Sequence, residues 1–351
     1  MSGRLRRAAV LDGPRSLSIR HDVDLDLRPG TVLVAVDRCG IGGSDVAAWI
    51  SGEAVSGAWF GHEWVGRVLA AGEAAEHRYE GERVVGATSA PCGRCRPCRA
   101  GIPAHCTLVL AMILGTDEHA SPHGAFADVI RVDARRVQPA PEGVDDTGAA
   151  LAEPAAVAMH AVTQAEPQPG DLVAVIGAGT IGLATTALAR LAGAGPVVAV
   201  DPEPAQRDLA CDLGADAAVA PGPELRRWLN EHGHGLGADV VYDCAGRADS
   251  LAVAADAARP GGRLVVVGAM ADGANLDPSE VVVKQLTVRG SLAYTVSDVR
   301  RALELMADDR LRLDGIVDRE VGFADLATVL TELANNPGAP RKVMFAPAVG
   351  S

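Results

Sequence analysis

Four cysteines fall within fifteen residues, Cys92-Gly-Arg-Cys95-Arg-Pro-Cys98 followed by Cys106. This spacing lets one short lobe close a tetrahedral cage of thiolates around a single ion. Zinc in structural sites is four-coordinate and favours deprotonated Cys sulfur, and two C-x2-C steps with a short loop to a fourth Cys supply its ligands. The expectation is a structural zinc on Cys92, Cys95, Cys98 and Cys106, with a redox or disulfide cluster as the rival reading. His105 borders the lobe, but four sulfurs already fill the cage, so it reads as a surface residue. The other cysteines, Cys39, Cys211 and Cys244, stand alone in the sequence, as buried thiols in a reducing cytosol do.

A second chemical signature follows, where the apolar run Asp171-Leu-Val-Ala-Val-Ile leads into Gly177-Ala178-Gly179-Thr180-Ile181-Gly182 and then an apolar helical stretch. This is a strand, a tight turn and a helix. Gly177 permits the turn, Gly179 lets backbone approach a pyrophosphate, and Gly182 lets helix and strand pack closely, with the helix N-terminus facing the phosphate charge. The next apolar run ends in Asp201, 19 residues after Gly182. A carboxylate there accepts hydrogen bonds from an adenosine ribose and repels a 2′-phosphate, so NAD is expected over NADP. Arg207 keeps the NADP alternative open.

These sites need two kinds of scaffold, and the chain is long enough for both. Its 351 residues exceed the usual single core, and 48% hydrophobic content supports sizeable interiors. The first 150 or so residues read as short β-like runs separated by Gly and Pro, a barrel-like β domain. From Asp171 onward apolar strands alternate with helices, with strands expected at 172–176, 197–200, 217–220, 240–243, 264–267 and 286–292. Six strands at this spacing fit a doubly wound parallel sheet, giving an α/β chain overall. A helix at 298–307 and a strand at 342–346 do not extend that alternation and are expected to return to the first domain. The Ala-rich stretch 149–162 reads as a hinge.

The net charge of −13 leaves no basic face to displace counterions from phosphate, which argues against a nucleic-acid partner. No apolar run reaches the roughly 18 residues that span a bilayer, and the first ten residues lack a signal-peptide core. A cytoplasmic protein acting on a small molecule, with no membrane partner, is expected. His160 in a helical run reads as packing, His119, His123, His232 and His234 have no ligand-like neighbours in sequence, and Arg341-Lys342 reads as solvated charge.

The ordered set Gly61-His62-Glu63-x-x-Gly66, the cysteine lobe, Leu151-Ala-Glu153-Pro154 and Gly177-x-Gly-x-x-Gly182 resembles the zinc-dependent medium-chain alcohol dehydrogenases, nearest to the sorbitol, butanediol and threonine dehydrogenase branch. The resemblance covers nearly the whole chain. It implies a GroES-like β-barrel catalytic domain from 1–153 and 292–351, carrying the zinc lobe at about 90–107, and a Rossmann NAD-binding domain at 154–291. It further implies a homodimer or homotetramer joined near Val288–Leu292, and backbone contact to the nicotinamide near Tyr294 and Thr295.

The resemblance also implies a second, catalytic zinc, a Lewis acid that lets an alkoxide release hydride to the nicotinamide. His62 matches the family's His ligand, Glu63 is the adjacent carboxylate that completes or exchanges in the shell, Glu153 falls at the third ligand position, and Ser44 at the hydroxyl relay. Two positions depart. Family members carry a ligand Cys where this chain reads Cys39-Gly-Ile-Gly42-Gly-Ser44-Asp45, which places Gly42 at the ligand position, and Ala47 stands where many have a relay His. Three outcomes stay open: zinc on His62, Glu63 and Glu153 without sulfur; no metal and a repurposed pocket; or rescue by Cys39 through a local shift. The expected activity is NAD(H)-dependent oxidation of a secondary alcohol, polyol or amino alcohol, or the reverse reduction. The alternatives are a zinc-free reductase of a conjugated carbonyl or iminium, and an inactive cofactor-binding homologue. Trp49, Trp59 and Met112 are expected near the pocket.

Overall fold

The computed structural model describes residues 6–21, 23, 25–53, 57, 60–75, 77–114, 116–117, 119, 121–268, 273, 275–336 and 342–349; Trp59 and Arg341 lie outside the described residues. The chain divides into two compact units, one of 1–153, 295–309 and 317–351, the other of 154–294 and 310–316.

The first unit holds β1 (Ala8–Gly13), β2 (Ser16–Arg20), β3 (Thr31–Gly40), β4 (Glu63–Ala71), β5 (Arg83–Gly86), β6 (Val129–Asp133) and β7 (Val137–Pro139). The second contributes β8 (Val173–Ile176), β9 (Val197–Val200), β10 (Ala217–Val219), β11 (Ala238–Asp243), β12 (Ala258–Val266) and β13 (Thr287–Gly290), after which β14 (Val317–Val321) and β15 (Lys342–Phe345) belong to the first again.

In the first unit, β1 and β2 form a two-stranded sheet, and a seven-stranded sheet runs β14-β15-β3-β4-β5-β7 with β6 also on β3. β15 pairs antiparallel with β3, setting Met344 opposite Gly40, and β4 sets Glu63 opposite the same Gly40. The end of the chain is therefore stitched beside its middle. All four phenylalanines of the chain lie in the core of this unit. They meet edge to face, with ring centroids 4.9 Å apart for Phe60 and Phe126, 5.5 Å for Phe126 and Phe345, and 4.9 Å for Phe323 and Phe345. Each such pair adds about 0.5–1.5 kcal/mol beyond its burial. This row ties the chain segments that carry β4 and β15 to one interior.

In the second unit all six strands are parallel, in the order β10-β9-β8-β11-β12-β13. Numbered along the unit this is 3-2-1-4-5-6, the Rossmann order, with its reversal between β8 and β11. β8 reads Val-Ala-Val-Ile and β9 Val-Val-Ala-Val, both buried throughout, as strands covered by helices on two faces require. The helix Thr180–Leu191 starts directly after the glycine turn. β12 begins at Ala258, earlier than its apolar run, and β13 is shorter than the expected 286–292. The helix Val296–Ala307, which belongs to the first unit, is capped by Thr295 and Asp298. Among the described residues no helix is long and apolar enough to cross a membrane.

Candidate active site and metal centres

The cysteine lobe is folded as a cage. One sulfur from each of Cys92, Cys95, Cys98 and Cys106 lies within 4.8 Å of the others. The Cys92 N–H points at the Cys106 sulfur at 3.3 Å, and the Cys95 and Cys98 sulfurs are 3.3 Å apart. Gly93, at φ +71°, supplies a left-handed turn between the first two ligands that a side chain would strain. The N–H groups of Cys98 and Thr107 stabilise the Cys95 thiolate and bring that thiol down to about 6. Burial opposes ionisation of Cys106, but the N–H groups of Cys92 and Val109 outweigh it and lower that thiol too. Burial and the neighbouring Cys95 sulfur push the Cys98 thiol up to about 12, so the cage shares protons without a metal, and it is the convergence of four sulfurs that fits a tetrahedral zinc. His105 is exposed, outside the cage.

A second constellation gathers where β3 ends and β4 begins. His62, Glu63 and Glu153 each offer a ligand atom within 4.8 Å of the others. Glu63 opens β4, His62 precedes it, and Glu153 stands in the first turn of the helix Ala152–Ala165, where the helix dipole favours an acid. Asp45, fully buried, accepts the N–H of Gly42 at 2.7 Å and of Gly61 at 2.8 Å, and its carboxylate lies 3.7 Å from His62 Nδ1. Ser44 Oγ stands 3.4 Å from Nε2, so the two ring nitrogens face Asp45 and Ser44. Burial pulls the His62 imidazole down, yet Asp45, Glu153 and Glu63 more than offset it and raise it to about 10. The pocket is thus built to hold a cation, and its nitrogen and oxygen donors suit a divalent metal.

Gly42 faces this cluster. A Cβ built on it would lie 2.8 Å from Glu63 Oε1 and 3.4 Å from His62 Cε1, so the Glu63 carboxylate fills the space a ligand side chain at this position would enter. Cys39 does not join the cluster in this structure. Successive strand residues face opposite sides of a sheet, and the Cys39 thiol packs in the hydrophobic core and bonds the Gly40 carbonyl. Burial, then Asp45 and Glu63, push that thiol well above its ordinary value.

The expectation of solvated charge at Lys342 is corrected: its side chain is 3% exposed, and its ammonium lies 2.7 Å from Glu63 Oε1 and 2.5 Å from Oε2, with hydrogen-bond alignment to Oε1. Asp45 and Lys342 are the members of this site that sequence reasoning missed. The available signal was a charged residue opening the otherwise apolar Lys-Val-Met-Phe strand.

In the second unit, Gly177 has φ +90°, and a Cβ there would lie 2.8 Å from Ala245 Cα. Gly179 caps the helix with open space around its missing Cβ, whereas a Cβ on buried Gly182 would collide with the Gly177 carbonyl. Thr180 and Ile181 form the first helical turn. Asp201 follows β9, and its carboxylate accepts N–H bonds from Ala178 at 2.8 Å and Glu203 at 2.9 Å, tying it to the glycine turn. Arg207 Nη1 donates to the carbonyls of Asp201 and Pro202, each at 2.7 Å. Tyr294 is buried, after Ala293 in a left-handed conformation. Trp49 and Met112 are buried in the first unit, and His160 Nε2 lies 3.3 Å from the Gln164 amide.

Comparison with known proteins gives the family. Residues 28–142 match the family model "Alcohol dehydrogenase GroES-like domain" and residues 180–308 match "Zinc-binding dehydrogenase". The chain is 33% identical over 318 residues to a probable D-xylulose reductase A of Arthroderma otae, covering 88% of each. A putative zinc-binding dehydrogenase from Sinorhizobium meliloti, solved with NADP, superposes with TM-score 0.84 at 28% identity over 98% of this chain and all of that one. The 2R,3R-butanediol dehydrogenase of Bacillus subtilis does so with TM-score 0.83 at 26% identity over 97% and 99%.

Proposed function

This chain belongs to the zinc-type medium-chain alcohol dehydrogenase family, and from that premise we propose that it moves hydride between a nicotinamide dinucleotide and a polyol, secondary alcohol or amino alcohol, or the corresponding ketone. The observation that carries this reading is the convergence of His62, Glu63 and Glu153 on one point beside the Ser44 hydroxyl. A zinc ion held there would act as a Lewis acid that lowers the pKa of the substrate oxygen. Cys92, Cys95, Cys98 and Cys106 would hold a structural zinc, whose binding would stabilise their lobe.

The remaining work falls to the chain's own groups. Asp45 orients the His62 ring, as an outer carboxylate does for a ligand imidazole. Ser44, exposed beside His62, takes the substrate hydroxyl proton and passes it to solvent. Gly179 and the N-terminus of Thr180–Leu191 receive the pyrophosphate, and Asp201 the adenosine ribose. The Asp201 carboxylate and the engagement of Arg207 with two backbone carbonyls support NAD over NADP. The edge strand β13, with Val288 37% exposed, and Leu292 just beyond its end, 47% exposed, support a homodimer or homotetramer. Seven cysteines without a disulfide suit a cytoplasmic protein acting on a small molecule.

One observation favours a rival. Glycine at position 42 removes the thiolate, so a reductase without catalytic zinc, using a substrate whose own electrophilicity draws the hydride, is the competing reading. Turnover of polyols, secondary alcohols, amino alcohols and enones with NAD(H) and NADP(H) separates them. Oxidation of polyols or secondary alcohols with NAD supports the proposal; reduction of enones alone overturns it.

A further inference from the structure

We propose that Lys342 is a positioning residue of the second metal centre, whose ammonium competes with the metal ion for the Glu63 carboxylate and keeps that ion exchangeable. This rests on the reading of His62, Glu63 and Glu153 as metal donors.

The arrangement is specific in space. β15, β3 and β4 are neighbours, with Met344 and Glu63 both opposite Gly40. Lys342 reaches Glu63 across Gly40, and a Cβ there would overlap the Glu63 carboxylate and lie 2.8 Å from Lys342 Cε. The missing side chain is the opening through which the ion pair forms. Lys342 and Glu63 side chains are 3% and 6% exposed; the buried Lys342 charge is compensated by Glu63, which also faces the His62 ring.

Charge bookkeeping gives the consequence. His62, Glu63 and Glu153 offer a divalent ion two negative charges, and Gly42 supplies none where a cysteine would add a third. Lys342 neutralises one of the two. A protonated amine has three donors and no lone pair, so it cannot join the shell as a ligand. It stands behind Glu63 as a fixed positive charge, and the ion must either share the carboxylate with it or draw Glu63 away. A metal here binds against a resident cation.

The test measures metal affinity, not turnover. Zinc and cobalt are titrated against a competing chelator, with the cysteine cage already filled, on full-length wild type, Lys342→Met, Lys342→Gln and Lys342→Arg. Removing the charge should tighten the second site by at least about tenfold, the scale that outer-shell partners command. Lys342→Arg should match wild type. In the Glu63→Gln background the gain from Lys342→Met should be clearly smaller than in wild type, the difference being the part that acts through the Glu63 carboxylate; a merely structural ion pair predicts no gain in either background. Lys342→Gln keeps a hydrogen-bond donor to Glu63 and carries the test where Lys342→Met does not fold. Equal or weaker binding in both neutral variants, or no second site in any variant, overturns the proposal. Because no substrate is added, failure of the polyol assignment leaves this result readable, and the reverse holds.

Discussion

Alanine at Gly179 and at Gly182 should separate cofactor binding from folding within a single turn. Around Gly179 there is nothing within 4 Å of a built Cβ. A methyl group there fits the protein but stands where backbone N–H groups meet the pyrophosphate. Loss of one charge-assisted hydrogen bond is worth about 1.5–3 kcal/mol, which raises the Kd for NADH by roughly 10- to 150-fold. The stability effect is small, about 0.5–1 kcal/mol for alanine in place of glycine at an N-cap. Gly182 is the opposite case. Its Cβ would collide with the Gly177 carbonyl, which the strand-to-helix turn holds in place. Overpacking of this kind costs about 1–3 kcal/mol or more, a fall of roughly 2–12 °C in melting temperature at about 2–4 °C per kcal/mol. NADH fluorescence titration and calorimetric melting of both variants read the two effects. Wild-type affinity for NADH in Gly179→Ala, or a melting temperature below that of Gly182→Ala, would refute these two roles.

Three other outcomes are expected. Cys95→Ser should lose zinc from the lobe and melt at lower temperature; unchanged metal content and melting in elemental analysis and calorimetry would contradict the cage. Gly42→Cys must push the Glu63 carboxylate aside, because its Cβ would come within 2.8 Å of Oε1, yet zinc occupancy should rise as a thiolate enters the shell. Turnover should rise with it if the reaction is alcohol oxidation and fall if the natural reaction is zinc-free, and unaltered occupancy by elemental analysis would count against the placement of position 42. Burial lowers the His123 pKa below the ordinary 6.5, with Nδ1 donating to the Gly124 carbonyl at 3.0 Å. Its neutral form is the native one, so its contribution is full above the unfolded value and is lost as pH falls from about 6.5 toward the depressed native value. His123→Gln should flatten that part of a denaturation-versus-pH curve, and an NMR titration placing His123 at or above 6.5 would refute the assignment.

Local patterns were legible in the sequence, and contacts across the sheet were not. The six strands of a doubly wound parallel sheet follow from apolar runs alternating with helices and from the glycine turn after the first strand, whereas their order is seen only in the folded sheet. Each glycine of that turn has a role written in its spacing. Lys342 and Glu63 are 279 residues apart, and no periodicity relates them. Their pairing depends on β15 and β4 both lying against β3, and on the absence of a side chain at Gly40. Cys39 is three residues from the position a ligand would need, but strand alternation turns it into the core, a direction visible only once the end of β3 is fixed. Asp45 was quoted as part of a motif, but its bonds to the N–H groups of Gly42 and Gly61 belong to the folded loop.

Alcohol oxidation as proposed requires that a thiolate-free centre of His62, Glu63 and Glu153 hold a catalytic metal. The measurement that tests it most directly is metal content per chain, followed alongside polyol turnover, as zinc-reconstituted wild type is exposed to rising concentrations of a mild chelator. We predict two equivalents at the start, with the second leaving first and turnover falling in step while the cysteine-bound ion stays. Full turnover in protein that retains one equivalent, or a second equivalent that resists the chelator as firmly as the first, would contradict it.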